Sequence, residues 1–382
     1  MVTGVTEPLQ NIVPKFFPVS QPSITEREIS NVTDAVRSGW VSSLGSYIDA
    51  FETSFAQYCG VEFAVATSNG TTALHLAIEA LSIGPGHEVI VPDLTFVATA
   101  NAVAYSGATP VLVDVDTDTL CINPEAVRRA ITPKSRAVIP VHLYGHPAEM
   151  EEINAIAAEF DLFVIEDAAE AHGAEFRGKR VGGLSNCGVF SFYGNKIITT
   201  GEGGMITTND AALYQRARSL RDHAMSPTRR YWHAEMGFNY RMSNLQAALG
   251  MAQLERIDEI LKHRRDLMGW YRESITTTEE VRLNYVAEWA SSAYWMICLE
   301  IDWLDDKLRD KLMGELKKNG VDSRPYFCTV SSMPMYEMVP CRVAWRKAGI
   351  GLNLPTYFDL TRNDVSTIGA VVNDLLIRLG PR

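Results

Sequence analysis

The sequence predicts an α/β fold with a mainly parallel central sheet and a smaller C-terminal α/β domain. Five short, apolar, β-rich runs alternate with helical segments in the first half of the chain. Strands separated by helices form parallel sheets that helices cover on both faces. The hydrophobic pattern changes after residue 245, and the length of 382 residues exceeds one average domain of about 100–200 residues.

The composition is that of an ordinary globular protein. Hydrophobic residues make up 46% of the chain and charged residues 21%, which excludes a disordered or fibrous protein. The 35 Lys and Arg residues against 46 Asp and Glu residues give a formal net charge of −11. Because like charges repel, we expect neither nucleic acid nor an anionic membrane as a partner.

Targeting and metal-binding signals are also weak in this sequence. Residues 1–17 mix acidic and basic side chains and lack the apolar core of a secretory signal. No run approaches the roughly 18 apolar residues of a membrane span. The six cysteines are scattered without a C-x-x-C pair, which suits neither a zinc site nor a disulfide framework. We therefore expect a soluble, cytoplasmic protein without a metal site.

Two helices precede the first predicted strand. Thr25 and Glu28 have the spacing of a capping box, which predicts that a helix begins there, and Gly39 is placed to end it. A second helix follows, with an apolar stripe formed by Tyr47, Phe51, Phe55 and Tyr58.

The strands of the central sheet are predicted from short β-rich runs. These runs cover residues 63–67, 89–91, 110–113, 137–141 and 162–165. Helical segments are expected to begin between them near Thr71, Thr95, Pro124 and Pro147.

The C-terminal third of the chain has a different pattern. It predicts one long amphipathic helix over 245–263, a strand over 294–301 and a charged helix over 307–319 that Gly320 ends. We therefore divide the chain into an N-terminal arm (1–22), a large domain (23–264) and a small C-terminal domain (265–382).

Ligands of open parallel sheets bind beyond the carboxyl ends of the strands, and the first candidate cluster lies at such a position. Residues 68–72 read Ser-Asn-Gly-Thr-Thr between a predicted strand and a predicted helix. Small residues there leave backbone N–H groups free at a helix N-terminus, which suits an anion. A plain N-cap and turn is the alternative interpretation.

The second cluster is acidic and follows the predicted strand at 162–165. Residues 166–172 read EDAAEAH, and a carboxylate there is suited to pair with a protonated ring nitrogen. A solvated loop acid or a helix N-cap is the alternative. His172 also has two interpretations, since it either lines a site near Asp167 or is a partly buried histidine with satisfied hydrogen bonds.

The third cluster, residues 191–204, contains Lys196 among apolar and glycine-rich neighbours. A desolvated lysine has a lowered pKa and becomes a nucleophilic amine that forms Schiff bases. Considered alone, Lys196 is better explained as an exposed loop lysine. Together, an anion cradle, an acid and an isolated lysine match the requirements of pyridoxal 5'-phosphate (PLP).

Several long motifs of the chain also resemble those of a known protein family. The chain resembles the DegT/DnrJ/EryC1/StrS family of PLP-dependent nucleotide-sugar aminotransferases, within PLP-dependent transferase fold type I (aspartate aminotransferase-like). The supporting stretches are SNGTTALHLAIEAL, EVIVPDLTFVATANAV, PVHLYGH, EDAAEAHGA, FYGNKIITTGEGGMITTND and RRYWHAEMGFNYRMSNLQAALGMAQLERID.

The resemblance implies cofactor-binding roles for the matching residues. Lys196 matches the catalytic lysine that binds PLP as a Schiff base, and Asp167 matches the acid on the pyridine nitrogen. Phe96 matches the aromatic side chain that stacks on the ring. The residues that match the phosphate site are Gly70, Thr71, Thr72 and Ser191.

Two further matches concern the ring oxygen and the neighbouring subunit. Glu170 occupies a position at which the family has a side chain near the ring oxygen of PLP, often Gln and sometimes Glu. Asn239 matches a residue that reaches the phosphate of the partner's cofactor. The resemblance therefore implies a homodimer with composite active sites.

The resemblance also implies the substrates. We expect amino transfer from L-glutamate to a nucleotide sugar, namely C4 of GDP-4-keto-6-deoxy-D-mannose. Arg229 and Arg230 are suited to neutralise a pyrophosphate, and Tyr231 offers an aromatic face. Solvated loop charges are the alternative for both arginines. A dTDP- or UDP-linked substrate and amination at C3 remain open.

Other function classes fit the sequence less well. A PLP-dependent sugar dehydratase of the same family has histidine at the position of Lys196. A nicotinamide dehydrogenase is disfavoured because no G-x-G-x-x-G follows the first predicted strand. A non-catalytic PLP-binding regulatory protein is the remaining alternative.

Overall fold

The structure is a computed structural model that describes residues 15–381. Its strands are β1 (Phe63–Thr67), β2 (Glu88–Pro92), β3 (Thr109–Val113), β4 (Ser135–Val138), β5 (Phe163–Asp167), β6 (Glu175–Phe176), β7 (Lys179–Arg180), β8 (Cys187–Ser191), β9 (Gly204–Thr208), β10 (Val281–Leu283), β11 (Ala290–Ser291), β12 (Ile297–Ile301), β13 (Arg324–Pro325) and β14 (Gly351–Leu354). Its α-helices are α1 (Glu26–Ser38), α2 (Ser46–Cys59), α3 (Gly70–Ala80), α4 (Ala98–Tyr105), α5 (Pro124–Ala130), α6 (Met150–Glu159), α7 (Ala211–Arg221), α8 (Asn244–Leu254), α9 (Ile257–Ser274), α10 (Asp306–Lys318), α11 (Arg342–Ile350) and α12 (Arg362–Leu379).

Seven strands form the central sheet in the order β1-β9-β8-β5-β4-β2-β3. The pairs β2–β3, β2–β4, β4–β5 and β5–β8 are parallel, whereas β1–β9 and β8–β9 are antiparallel. The prediction of a mainly parallel α/β sheet is therefore confirmed. All five predicted strands are present, and two more, β8 and β9, lie on either side of the loop that carries Lys196.

Helices cover both faces of this sheet, and the strands are apolar on both sides. In β1, Val65 faces one hydrophobic cluster, whereas Ala64 and Ala66 face the other. In β5, Val164 and Ile165 are divided between the same two clusters. Successive side chains of a strand point to opposite faces, so a continuous apolar run is what a doubly covered strand requires.

The predicted start and end of the first helix are both confirmed. Thr25 is the N-cap of α1 and forms a capping box with Glu28. Gly39 ends the helix with a φ of 76°, in the left-handed region that glycine adopts without a side-chain clash.

The prediction of one long helix over 245–263 is wrong. The structure has two helices, α8 and α9, with a break at Glu255 and Arg256. The Arg256 side chain turns back to Glu28, with Nη1 3.0 Å from Glu28 Oε1, and Gln253 Nε2 donates to the same oxygen at 2.7 Å. These contacts with α1 bend the chain at a point where the spacing of apolar residues predicts an unbroken helix.

A second, antiparallel sheet forms the C-terminal lobe in the order β10-β12-β14-β13. Strand β12 begins at Ile297, three residues later than predicted, because Tyr294 has a φ of 46° and its N–H donates to Ser292 Oγ at 3.1 Å instead of joining the ladder. The charged helix over 307–319 is confirmed as α10. A small three-stranded sheet, β11-β6-β7, lies apart from both larger sheets.

Helix α9 crosses the predicted domain boundary at 264/265. Its first half packs into a hydrophobic cluster of the central sheet through Ile257 and Ile260, and its second half packs into the C-terminal lobe through Leu267. From the N-terminal arm, Phe17 also packs into the C-terminal lobe. The division into arm, large domain and small domain stays a prediction. Between residues 15 and 381, no helix is long and apolar enough to cross a membrane.

Candidate active site

A cavity of about 500 Å³ lies at the carboxyl end of β5, beside the N-terminus of α3. Eight of the predicted site residues line it: Gly70, Thr71, Thr72, Phe96, Asp167, Glu170, Ser191 and Lys196. The fold therefore brings the three sequence clusters together in one site.

The N-terminus of α3 forms one wall of the cavity. Asn69 caps the helix by accepting a hydrogen bond from Thr72 N–H at 2.8 Å, and the Thr72 hydroxyl donates to Asn69 O at 2.8 Å. The N-cap predicted as the alternative is thus real. It leaves the first-turn N–H groups of Gly70 and Thr71 without intrahelical acceptors, so capping and anion binding are compatible here.

A close approach between α3 and β8 fixes the geometry of this wall. A Cβ atom added at Gly70 would lie 2.7 Å from Ser191 Cβ and 3.1 Å from Ser191 Oγ. Only glycine allows this separation. The Ser191 hydroxyl therefore lies directly beside the free N–H groups of the helix.

Asp167 is buried at the end of β5 and is not a solvated loop acid. Its Oδ2 accepts a hydrogen bond from the Thr99 hydroxyl at 2.7 Å, and Oδ1 accepts one from Ala169 N–H at 3.2 Å. Burial raises the pKa of the Asp167 carboxyl, and the bond from Thr99 partly opposes that shift. A positively charged group in the cavity would stabilise the carboxylate further.

Lys196 points into the same cavity, so the interpretation as an exposed loop lysine is wrong. Only 11% of its side chain is exposed. Its Nζ lies 3.8 Å from Glu170 Oε1 and 4.1 Å from the ring centre of Trp295. Burial lowers the pKa of the Lys196 amine, and the negative charges of Glu170 and Asp167 oppose this.

Glu170 is the second buried acid of the cavity. Tyr144 N–H donates to its Oε2 at 2.8 Å, which leaves Oε1 facing Lys196. Burial raises the pKa of Glu170 to about 7. The carboxyl group therefore changes its charge near neutral pH.

His172 does not line the cavity. It is fully buried among Phe55, Phe190 and Phe192, and burial lowers its pKa to about 3. Neither ring nitrogen has a hydrogen-bond partner among residues 15–381. Neither sequence interpretation of His172 describes this environment.

Four predicted residues lie outside the cavity of their own chain: Arg229, Arg230, Tyr231 and Asn239. All four are exposed, and 76% of Tyr231 is accessible to solvent. The Arg229 guanidinium lies 4.3 Å from the ring centre of Trp232, and Asn239 Oδ1 accepts a hydrogen bond from Arg241 at 3.1 Å.

Sequence reasoning missed four residues that shape the site. Thr99 forms a hydrogen bond with Asp167, and Tyr144 forms one with Glu170. Trp295 contacts Lys196, and Phe327 packs against Phe96. Each reaches the site from a different element or loop. No local spacing signals such long-range contacts.

These groups fit PLP by their chemistry. Free helix N–H groups and a hydroxyl suit a phosphate, and a buried carboxylate suits a protonated ring nitrogen. An amine with a lowered pKa suits covalent bonding to an aldehyde. Phe96 offers an aromatic face, and 55% of its surface is exposed.

Comparisons with known proteins agree with this assignment. The model of the DegT/DnrJ/EryC1/StrS aminotransferase family matches residues 22–373. GDP-perosamine synthase from Caulobacter vibrioides is 46% identical over 94% of this chain and 98% of its own. GDP-perosamine synthase from Escherichia coli O157:H7 is 41% identical with the same coverage. The PLP form of Spr1654 from Streptococcus pneumoniae superposes with a TM-score of 0.91 at 25% identity, covering 96% of this chain and 100% of its own.

Proposed function

The chain belongs to the DegT/DnrJ/EryC1/StrS aminotransferase family, and we propose that it is a PLP-dependent sugar-nucleotide aminotransferase. The proposed reaction transfers the amino group of L-glutamate to C4 of GDP-4-keto-6-deoxy-D-mannose and gives GDP-perosamine. The observation that carries this proposal is the single cavity in which Lys196, Asp167 and the N-terminus of α3 meet.

Different residues of the cavity would bind different parts of PLP. Gly70, Thr71, Thr72 and Ser191 would hold its phosphate, and Phe96 would lie against its ring. Asp167 would pair with the ring nitrogen, and Lys196 would bond to the aldehyde carbon. When bound, PLP supplies a protonated ring that withdraws electrons from the reacting carbon.

Lys196 is also the proposed base in both half-reactions. Its Nζ would take the proton from Cα of L-glutamate and pass it to C4′ of the cofactor, and in the second half-reaction it would take a proton from C4′ and pass it to C4 of the sugar. This role needs an unprotonated amine, and burial favours that form by lowering the pKa of Lys196. Glu170 Oε1, 3.8 Å away, stabilises the ammonium that Lys196 becomes after it takes the proton.

A homodimer with shared sites is part of the proposal. Three large apolar side chains within nine residues of sequence are exposed, namely Val36 (55%), Trp40 (57%) and Leu44 (64%), and exposed apolar side chains that lie near one another favour protein association. Asn239 lies on an exposed loop, and we assign it to the phosphate of the partner's cofactor. The cytoplasmic location expected from the sequence stays a prediction.

The choice of substrate rests on two kinds of support. The two relatives named GDP-perosamine synthase match the chain over nearly its whole length. In addition, Arg229 and Arg230 are exposed cations on a protein of net charge −11, and paired arginines bind a pyrophosphate well. We assign both arginines to the nucleotide diphosphate and Tyr231 to an aromatic contact with the substrate.

The test is a comparison of nucleotide sugars. The aminated enzyme, prepared with L-glutamate, is incubated separately with the GDP-, dTDP- and UDP-linked 4-keto-6-deoxyhexoses, and the products are identified by mass spectrometry and NMR. We expect a C4-aminated product from the GDP sugar. Product from the dTDP or UDP sugar alone, or an amino group at C3, would contradict the substrate assignment while leaving the aminotransferase reaction intact.

A further inference from the structure

Trp295 makes two contacts with the segment that carries the reactive lysine. Its ring centre lies 4.1 Å from Lys196 Nζ, within the range at which an ammonium group is attracted to the face of an indole. Its Nε1–H donates to Asn195 O at 2.8 Å, and Asn195 is the residue before Lys196. One buried side chain from the segment just before β12 therefore contacts both the backbone and the amine of the Lys196 loop.

A turn of unusual backbone conformation holds Trp295 in this place. Gly145 has a φ of 99°, and a Cβ atom there would lie 2.8 Å from Trp295 N. Tyr144, with a φ of 52°, stacks on the Trp295 ring at a centroid distance of 6.1 Å and an interplanar angle of 15°. Strained backbone of this kind persists where the surrounding contacts determine it and often accompanies a functional site.

Tyr144 also connects Trp295 to the acid beside the lysine. Its N–H binds Glu170 Oε2, and its hydroxyl accepts a hydrogen bond from Phe327 N–H at 3.0 Å. The same turn therefore places Glu170 on one side of the Lys196 amine and Trp295 on another.

We propose that Trp295 is a positioning residue for Lys196, which holds the amine beside Glu170 while the amine is charged and not bonded to the cofactor. This proposal rests on the proposed aminotransferase function. In that reaction the Lys196 amine takes a proton from carbon, becomes an ammonium and gives the proton back. The indole face stabilises the ammonium, and the bond to Asn195 O restricts the loop from which the side chain extends.

The charged and titratable groups around Lys196 make such a contact useful. Glu170 and Asp167 favour the ammonium, whereas burial opposes it. His172 adds no positive charge that would repel the ammonium, since burial keeps it neutral by lowering its pKa to about 3. An aromatic face attracts the ammonium without adding a titratable group, so it stabilises the charge without binding the proton itself.

The test compares two substitutions that differ in the aromatic face. Trp295→Phe keeps a ring but loses the N–H donor, and Trp295→Leu keeps an apolar side chain without a ring. We expect Trp295→Leu to lower the single-turnover rate with L-glutamate by roughly three- to thirty-fold, and Trp295→Phe to recover most of the wild-type rate. KM for the nucleotide sugar should stay unchanged in both, because Trp295 is assigned to the lysine and not to the sugar.

A second readout does not depend on turnover. In cofactor-free protein, the pH dependence of acetic anhydride labelling at Lys196, measured by mass spectrometry, reports the protonation of the amine. We expect the midpoint to lie at lower pH in Trp295→Leu than in Trp295→Phe. Trp289→Leu is the matched control, because Trp289 packs on Phe176 and His146 instead of Lys196; it should leave both readouts unchanged.

The outcomes separate the two proposals. Equal rates and equal midpoints in the Leu and Phe variants would overturn the role of Trp295. A loss of rate in Trp295→Leu that Trp289→Leu reproduces would also overturn it, since the effect would then follow from packing alone. Wild-type protein without transaminase activity would contradict the proposed function, and the labelling midpoints would still decide whether Trp295 contacts a charged Lys196.

Discussion

Two buried acids and one buried amine share the cavity, and burial acts on them in opposite directions. It raises the pKa of Asp167 and Glu170 and lowers that of Lys196, because a low-dielectric environment disfavours every charged form. Thr99 counters this effect at Asp167 with a short hydrogen bond. Burial thus moves the pKa of each group from its ordinary value toward the neutral range, which is the direction that general acid–base transfer requires of Lys196.

Glu170→Gln should change how stability depends on pH. The pKa of Glu170 is about 7 in the folded protein and near its ordinary value of 4.5 when unfolded. Between these pH values the folded state binds more protons, so the wild-type protein loses stability as pH rises from about 4.5 to about 7. The variant lacks this loss. We expect it to gain stability relative to wild type, on the order of 1 to 3 kcal/mol above pH 7, with the gain vanishing toward pH 4.

Thermal unfolding of the cofactor-free protein measures this difference at acidic and at alkaline pH. Glu26→Gln is a suitable control, since it makes the same substitution at an exposed position on α1, outside the cavity. A stability difference between Glu170→Gln and wild type that is constant across pH would contradict the raised pKa of Glu170.

At the scale of elements, the site depends on how closely α3 approaches β8. Gly70→Ala should weaken PLP binding by roughly tenfold or more, because the new Cβ would force the helix N-terminus away from Ser191. The dissociation constant, measured by fluorescence titration, tests this. Gly314→Ala in α10 is the matched control, since a Cβ there meets nothing within 4 Å and alanine favours a helix. Unchanged affinity in Gly70→Ala would contradict the close contact as the feature that forms the phosphate site.

Local signals in the sequence were sufficient for most elements. The capping box at Thr25 and Glu28 and the apolar run of β1 depend on neighbouring residues, and both are found where they were predicted. The break between α8 and α9 depends on a contact of Arg256 with Glu28, which is distant in sequence. The spacing of apolar residues along the chain does not reveal such a contact.

The residues of the site fall into the same two groups, those that local motifs mark and those that only the fold places. Lys196, Asp167 and the α3 N-terminus are marked by sequence motifs, and the structure brings all three to one cavity. Trp295 and Tyr144 are ordinary aromatic residues in the sequence. Only the fold places them beside Lys196 and Glu170, because their contacts come from the second lobe and from the strained turn after β4.

At the scale of the whole molecule, shared active sites predict complementation between inactive chains. Lys196→Ala and Asn239→Ala each damage every site of a homodimer. In a mixed dimer, one site would contain both substitutions and the other neither. With random pairing, half of the dimers are mixed, so activity should recover to about a quarter of wild type. Mixed dimers proven by differential tagging but without recovered activity would contradict the assignment of Asn239 to the partner's site.

The bond between Lys196 and PLP is the feature on which the proposed function depends most. The PLP-loaded enzyme is reduced with borohydride, which fixes the cofactor to the amine that carries it, and the digested protein is mapped by mass spectrometry. We expect a phosphopyridoxyl group on Lys196 and on no other lysine. A label on a different lysine, or loss of the cofactor's visible absorbance without any labelled peptide, would contradict this expectation.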